Sequence, residues 1–207
     1  MIEDIYRVCW ERELGTQKAE SEADAAKSEQ LSQKITNRKM THCMQCGTSL
    51  VMKVHPQEKR EIPFCESCGE YRFPMFNTAV SMIVLSPAQD RILLIRQYGK
   101  PFYILVAGYV NQGEDAEDTV VREIAEELGV DVADCRFNHS HYFPPTNTLM
   151  LNYTVTLATD ELSTNWEIDD CTWFTFSDAE KSIKPGSLAK AFLHGYLNGG
   201  DYVWPDL

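Results

Sequence analysis

Two hydrophobic periods alternate along this chain. Residues 79–85, Ala-Val-Ser-Met-Ile-Val-Leu, form a nearly unbroken apolar run. The turn-forming Ser86, Pro87, Ala88, Gln89 and Asp90 follow, and then a second run at 91–97, Arg-Ile-Leu-Leu-Ile-Arg-Gln. Apolar runs of strand length on either side of a polar turn predict a buried hairpin. Residues 102–106 predict a further strand that runs into Gly108, and 136–143, 148–157 and 171–174 predict three more. Between 114 and 128 the period lengthens: Thr119, Val120, Ile124 and Leu128 recur at helical spacing, and Gly129 stops the helix. Residues 187–197 predict a closing helix. Strands interleaved with a few helices predict an α/β sandwich on a mixed sheet. No internal repeat is present.

The first third of the chain reads differently. Residues 49–55 and 61–64 are strand-like, with polar turn residues between them. Upstream, Ile2, Ile5, Tyr6, Val8, Cys9 and Trp10 suit a short anchoring helix. Residues 16–34 are Ala, Glu, Ser, Lys, Gln and Asp with almost nothing to bury, which fits a solvated helix, a linker or a dimer arm. The expected division is a polar N-terminal helical arm or linker at 1–40, a small unit at 41–75 and the main domain at 76–207.

Charge and composition narrow the function. The 207 residues are 43% hydrophobic, enough for a packed core. No run reaches the roughly 18 apolar residues that a membrane helix needs. The start lacks a basic and then an apolar stretch, so no signal peptide is expected and the expected location is the cytoplasm. Acidic residues outnumber basic ones 31 to 19, for a net charge of −12. That argues against charge-driven binding to nucleic acid, which needs a basic surface. A polyanionic substrate is still compatible when divalent cations stand between it and the carboxylates.

Four of the seven cysteines form two pairs, Cys43-x-x-Cys46 and Cys65-x-x-Cys68, with 18 residues between them. That spacing fits a tetrahedral zinc site. Four thiolates leave no position for water, so the zinc would be structural and would substitute for the core a unit this small cannot build. Cys9, Cys135 and Cys171 are expected to be buried or incidental thiols.

The second chemical motif lies on the helix at 114–128. Glu123 and Glu127 are one turn apart and Glu126 is at i+3 from Glu123, so three carboxylates share a face. Arg122 is at i+4 to Glu126 and can orient a carboxylate. Clustered carboxylates repel unless a counter-cation sits among them, and hard Mg²⁺ or Mn²⁺ is the natural partner. Taken alone, a Glu-rich helix is more simply a solvated acidic face. Here, however, Gly108, Glu114 and Arg122-Glu123-Ile124-Ala125-Glu126-Glu127-Leu128-Gly129-Val130 match G-x5-E-x7-R-E-U-x-E-E-x-G-U, with U aliphatic, at every specified position. Chance agreement is on the order of one in a hundred million per start position. The chain therefore resembles the Nudix hydrolases.

With its four-cysteine ribbon just ahead of the box, the chain is similar to the NADH pyrophosphatase branch of that superfamily, from about Cys43 to Leu197. Lys184-Pro185-Gly186-Ser187-Leu188-Ala189 resembles that branch's Pro-Gly-Thr-Val-Ala turn. The resemblance implies a Nudix α/β/α sandwich preceded by a zinc ribbon. It also implies metal-dependent hydrolysis of the pyrophosphate bond of NAD(H)-like dinucleotides. It makes Glu123 and Glu127 the main Mg²⁺ or Mn²⁺ ligands, with Glu126 and the Ala107 carbonyl assisting. Glu167 becomes a further ligand or the general base, or else an exposed loop acid. Arg122 and Glu114 would lock the loop to the helix. Phe73, Tyr109, Phe143 and Ala189 fall at positions beside the substrate; for Tyr109 and Phe73 core packing is the competing role. The family also suggests a homodimer.

One stretch departs from the branch. Where it carries Ser-Gln-Pro-Trp-Pro-Phe-Pro, this chain has Ser140-His141-Tyr142-Phe143-Pro144-Pro145-Thr146, losing the Gln and the Trp. The reaction class does not depend on that loop, but substrate choice does. ADP-ribose, another nucleoside diphosphate derivative and an NAD-capped RNA end are the alternative substrates. A nucleotide sensor without turnover has no need of the full carboxylate set. A nucleic-acid-binding zinc protein would need more than Lys53, Lys59 and Arg60 between the cysteine pairs.

Overall fold

The computed structural model describes residues 40–205. The expected N-terminal arm, with Cys9, lies outside the described residues. A small antiparallel sheet comes first, from β1 (Val51–Val54), β2 (Glu61–Cys65) and β3 (Glu70–Tyr71), in the order β1-β2-β3. The main sheet follows, from β4 (Asn77–Leu85), β5 (Ile92–Gln97), β6 (Val106–Tyr109), β7 (Val132–Phe143), β8 (Thr148–Leu157) and β9 (Ile168–Phe174). Its order is β7-β8-β4-β5-β9, with β6 paired to the first half of β4. The β4–β8 pairing is parallel and the other pairings are antiparallel, so the sheet is mixed.

Strand alternation builds the layers. Ala79, Ile83 and Leu85 of β4 point into one core, with Ile92 and Leu94 of β5. Two helices cover it: α2 (Phe176–Ser182) through Ala179, and α3 (Leu188–Leu197) through Phe192 and Leu193. Val80, Met82 and Val84, with Leu93 and Ile95, point to the opposite face. There α1 (Ala116–Leu128) packs Val120, Ile124 and Leu128. Because successive strand residues face opposite sides, a strand apolar at nearly every position needs a helix layer on each face. The result is an α/β/α sandwich. Each fully buried aliphatic side chain contributes roughly 1.5–3 kcal/mol over an exposed one. Among the described residues, no helix is long and apolar enough to cross a membrane.

Several boundaries differ from the sequence pattern. The strand expected at 102–106 lies at Val106–Tyr109, leaving only isolated bridges at Tyr103 and Ile104. Gly108 is therefore inside a strand, held opposite Val80 by the ladder to β4. The main helix starts at Ala116, not 114, because Glu114 is used in the preceding turn, where its carboxylate accepts from Asn111 N. β7 starts at Val132 and β9 at Ile168, earlier than expected; Val132 and Ile168 pack against the core under α1, but the acids that follow each interrupt the apolar pattern. The short β3 and α2 carry too few apolar positions to show a period.

Candidate active site and cysteine centre

The carboxylate helix is positioned at both ends. At its C-terminus Gly129 adopts the left-handed conformation, φ +68, and its N–H donates to Ala125 O. A Cβ there would meet Ser163 O at 2.7 Å, so glycine is required both by conformation and by space. The last carbonyls of α1 are capped by the loop before β9: Ser163 N donates to Leu128 O and Asn165 N to Glu127 O. Asn165 Oδ1 in turn accepts from Glu167 N. This chain of bonds delivers Glu167 to the helix end.

At the other end Arg122 acts as the hub. Its Nε and Nη2 clasp both carboxylate oxygens of Glu114, at 2.7 and 3.0 Å, and Nη2 also reaches Tyr109 O at 3.1 Å. Its Nη1 donates to Glu123 at 2.7 Å and to Glu126 at 3.1 Å. The bidentate bond to Arg122, with help from Asn111 N, pulls the Glu114 carboxyl down to about 2. Loop, strand β6 and helix are thus tied by one guanidinium.

Glu123 and Glu127 sit on the buried side of α1, 7% and 2% exposed, while the Glu126 side chain is 58% exposed. The three are neighbours along the helix, yet only the first two are enclosed. The Glu123 carboxylate lies directly over Gly108: a Cβ at that position would meet its Cδ at 2.0 Å and its Oε1 at 2.1 Å. The glycine is there because the acid occupies the place of its side chain. Glu127 accepts a hydrogen bond from Gln97 Nε2 at 3.2 Å, in a buried setting. Burial, then the charges of Glu123 and Glu167, push the Glu127 carboxyl up to about 8. Burial also raises Glu123, against the pull of Arg122 and with the charges of Glu126 and Glu167 adding to it. Glu167 is therefore close enough to act on both, and Tyr98 Oη donates to its carboxylate.

The site so assembled contains Glu123, Glu126, Glu127, Glu167, Arg122 and the Ala107–Gly108 backbone. Its carboxylates and backbone carbonyls are hard oxygen donors, and its two enclosed carboxylates are charged only at a cost that a divalent cation would offset. The sequence pattern does not single out Gln97 and Tyr98; a buried glutamine closing the strand Ile92–Gln97 is the available signal. Trp166, 83% exposed beside Glu167, is a second feature the sequence pattern did not flag. The residues expected beside the substrate are dispersed. Phe143 and Ala189 are buried in the core under α2 and α3, on the face of the sheet opposite α1, so they present no side-chain surface at the carboxylates. Strand parity and the α3 packing decide this. Tyr109 is half-buried against that same core. Phe73 is 48% exposed, with its ring edge-on to His55 at 5.7 Å.

The cysteines converge on a point. Cys43, Cys46, Cys65 and Cys68 have all their sulfurs within 4.8 Å of one another. Individual Sγ···Sγ separations are 3.4, 3.5 and 3.9 Å. A tetrahedron of thiolates about 2.3 Å from zinc has edges of about 3.8 Å, so the donor set fits. Gly47 N donates to Cys43 O and Gly69 N to Cys65 O, closing the two turns. Arg72 Nε donates to Cys43 Sγ at 3.2 Å. Burial opposes the Cys43 thiolate, but Arg72 and nearby amides outweigh it and bring the thiol down to about 6. Cys135 and Cys171 are half-buried free thiols against the core under α1.

Comparison with known proteins agrees with this architecture. The NUDIX domain family model matches residues 75–192, more than half of the chain. The chain is 32% identical over 158 residues to the NAD-capped RNA hydrolase NudC of Pseudomonas aeruginosa, covering 75% of this chain and 55% of that protein. It is 31% identical over 158 residues to the NudC of Stutzerimonas stutzeri, with the same coverage. The chain thus spans about half the length of the curated relatives it matches. Among solved structures, a NUDIX hydrolase from Nitrosomonas europaea superposes with a TM-score of 0.56 at 18% identity, covering 77% of this chain and 94% of that one. The NUDIX domain of Shewanella oneidensis NrtR, solved with ADP ribose, gives 0.50 at 15% identity, covering 65% and 93%. At those identities the likeness is one of fold.

Proposed function

The chain belongs to the Nudix hydrolase family, and we propose that it hydrolyses the pyrophosphate bond of NAD(H)-like dinucleotides to two mononucleotides. The observation that carries this reading is the enclosed pair Glu123 and Glu127 with Glu167 beside them, hard anionic donors crowded around the glycine strand. In this reading Glu123 and Glu127 hold Mg²⁺ or Mn²⁺, with Glu126 and the Ala107 carbonyl assisting. A bound divalent cation supplies charge to offset the diphosphate and activates water at neutral pH.

This chain's own residues do the rest. Arg122 fixes the helix against Glu114 and the β6 carbonyl of Tyr109, so the acids keep their spacing when substrate binds. Glu167 accepts the proton of the attacking water, or holds the cation, at the carboxylate that Tyr98 orients. The water oxygen bonds to one phosphorus, the bridging P–O bond breaks, and each product leaves with one phosphate. Phe73, 48% exposed, is the aromatic candidate for stacking on the substrate's rings, while Tyr109 takes its competing role of packing against the core. The four cysteines hold Zn²⁺ as a structural ion.

A second reading of the same chemistry takes an NAD-capped RNA end as substrate. The names of the curated relatives favour it. The test is a product assay of the purified chain with Mg²⁺ and, separately, Mn²⁺. Its substrates are NADH, NAD⁺, ADP-ribose, FAD, diadenosine polyphosphates and an NAD-capped RNA. The first reading predicts AMP and nicotinamide mononucleotide, formed fastest from NADH or NAD⁺. Fastest cleavage of the capped RNA selects the second reading, and no cleavage of any of them sinks both.

A further inference from the structure

At the end of β5 two adjacent side chains converge on the acidic cluster. Successive strand residues point to opposite faces, yet Gln97 and Tyr98 both reach the acidic cluster. Gln97, 3% exposed, donates to Glu127 on the helix. Tyr98 donates through its hydroxyl to Glu167 on the loop before β9.

Two backbone features make this convergence possible. The β5–β9 register shifts between Arg96 and Gln97: Arg96 pairs with Asp170 and Gln97 with Ile168, so the ladder skips Asp169. The extra residue lies on β9, so this bulge re-aims the start of β9, next to Glu167. The chain then turns tightly, with Lys100 N donating to Gln97 O and both central residues at positive φ, Tyr98 at +53 and Gly99 at +67. Gly99 suits that turn; a tyrosine is rarely found in it. The skipped Asp169 braces the corner by accepting from Gly99 N at 2.6 Å. A bulky residue held in the left-handed region by a bulge, a turn and a carboxylate is backbone strain retained for a purpose.

We propose that the Gln97–Tyr98 corner is a positioning device: it holds Glu127 and Glu167, from two different elements, in the relative placement that cation binding and water attack require. The inference rests on the metal-dependent reading of the site and deepens it. The chemistry of the donors supports it. Arg122 meets Glu114, Glu123 and Glu126 with a positive charge. Gln97 and Tyr98 meet their acids with neutral donors. An amide and a phenol fix a carboxylate's direction without cancelling its charge, so Glu127 and Glu167 stay available to a cation.

The experiment uses the full chain and two variants, Gln97→Met, which conserves length and removes the donor, and Tyr98→Phe, which removes one oxygen. Three quantities are measured: Mn²⁺ affinity from the electron paramagnetic resonance signal of free Mn²⁺, kcat and KM for the dinucleotide, and the melting temperature in chelator. Gln97→Met is expected to weaken Mn²⁺ binding and to lower kcat by about 10–100-fold, with KM for the dinucleotide unchanged. Tyr98→Phe is expected to lower kcat with a smaller loss of Mn²⁺ affinity. A purely structural role would lower the melting temperature and leave the Mn²⁺ affinity of the folded protein intact; that result overturns the proposal. So do parental affinity and kcat in both variants. If Gln97→Met does not fold, Tyr98→Phe decides alone by the same criteria. A parental protein that binds no Mn²⁺ and cleaves no dinucleotide overturns the reading of the site itself, and the inference with it. A competent parent with unaffected variants overturns the inference only.

Discussion

The cysteine ribbon and the glutamate site both crowd four acidic side chains together, and they resolve the repulsion in different ways. In the ribbon the sulfurs close on a single point from all sides, and two of the four cysteines are almost fully buried. In the glutamate site the acids spread around Arg122, Gln97 and Tyr98, and Glu126 remains open to solvent. A closed thiolate tetrahedron leaves nothing for a substrate to displace. An open, partly enclosed set of oxygens holds a hard cation and still admits a diphosphate. On the proposed reading, one cluster would replace a missing core and the other would react.

Substitutions can break this contrast. The largest effect is expected from Glu127→Gln, which removes a charge from the open site. Turnover should fall by more than about a hundredfold, beyond the usual cost of losing a supporting residue. The melting temperature in chelator should hold or rise, because the buried carboxyl is strained toward its neutral form. Steady-state rates and thermal melts check both; near-parental turnover would mean the site is assigned wrongly. Gly108→Ala comes next. Its methyl would collide with the end of the flexible Glu123 side chain, not with backbone. The fold should survive while Glu123 is displaced, with a loss of turnover of about 10–100-fold.

A pH series sharpens the comparison further. In the metal-free protein Glu127 keeps its proton up to about 8, whereas its unperturbed value is 4.5. Between those values the folded state binds the proton more tightly than the unfolded one, so this group makes stability fall as pH rises through the window. Mn²⁺ favours the ionised acid, so it should stabilise the protein more at the upper end of the window than at the lower. Melts with chelator and with Mn²⁺ across that range test the sign. The smallest effect on turnover is expected from Cys65→Ser. Zinc content should drop and amide exchange should rise across 51–71, while 116–128 keeps its protection. Equal loss of protection in both regions would show that the two clusters fold as one unit.

Much of this molecule is written locally. The apolar runs at β4 and β5, the helical period of α1 and the paired cysteines predict their elements because each signal lies within a few residues of its consequence. The Arg122–Glu114 tie is also visible as motif spacing. Phe143 shows the limit of that approach: an aromatic in the right stretch suits a ligand, but the strand places it under α3. Gln97 and Tyr98 show the same limit from the other side. Nothing near them in sequence announces that their partners are Glu127, 30 residues away, and Glu167, 69 away.

The family box, the four-thiol donor set, the two hydrophobic periods and the acidic balance are all legible in the chain before it folds. These depend on residue type and short spacing alone. Packing between distant segments puts Glu123 in the place of a side chain over Gly108, leaves Glu126 outside, and lets the turn at the end of β5 join the helix to the Glu167 loop. Those outcomes depend on strand parity, register and burial, which are properties of how distant segments pack.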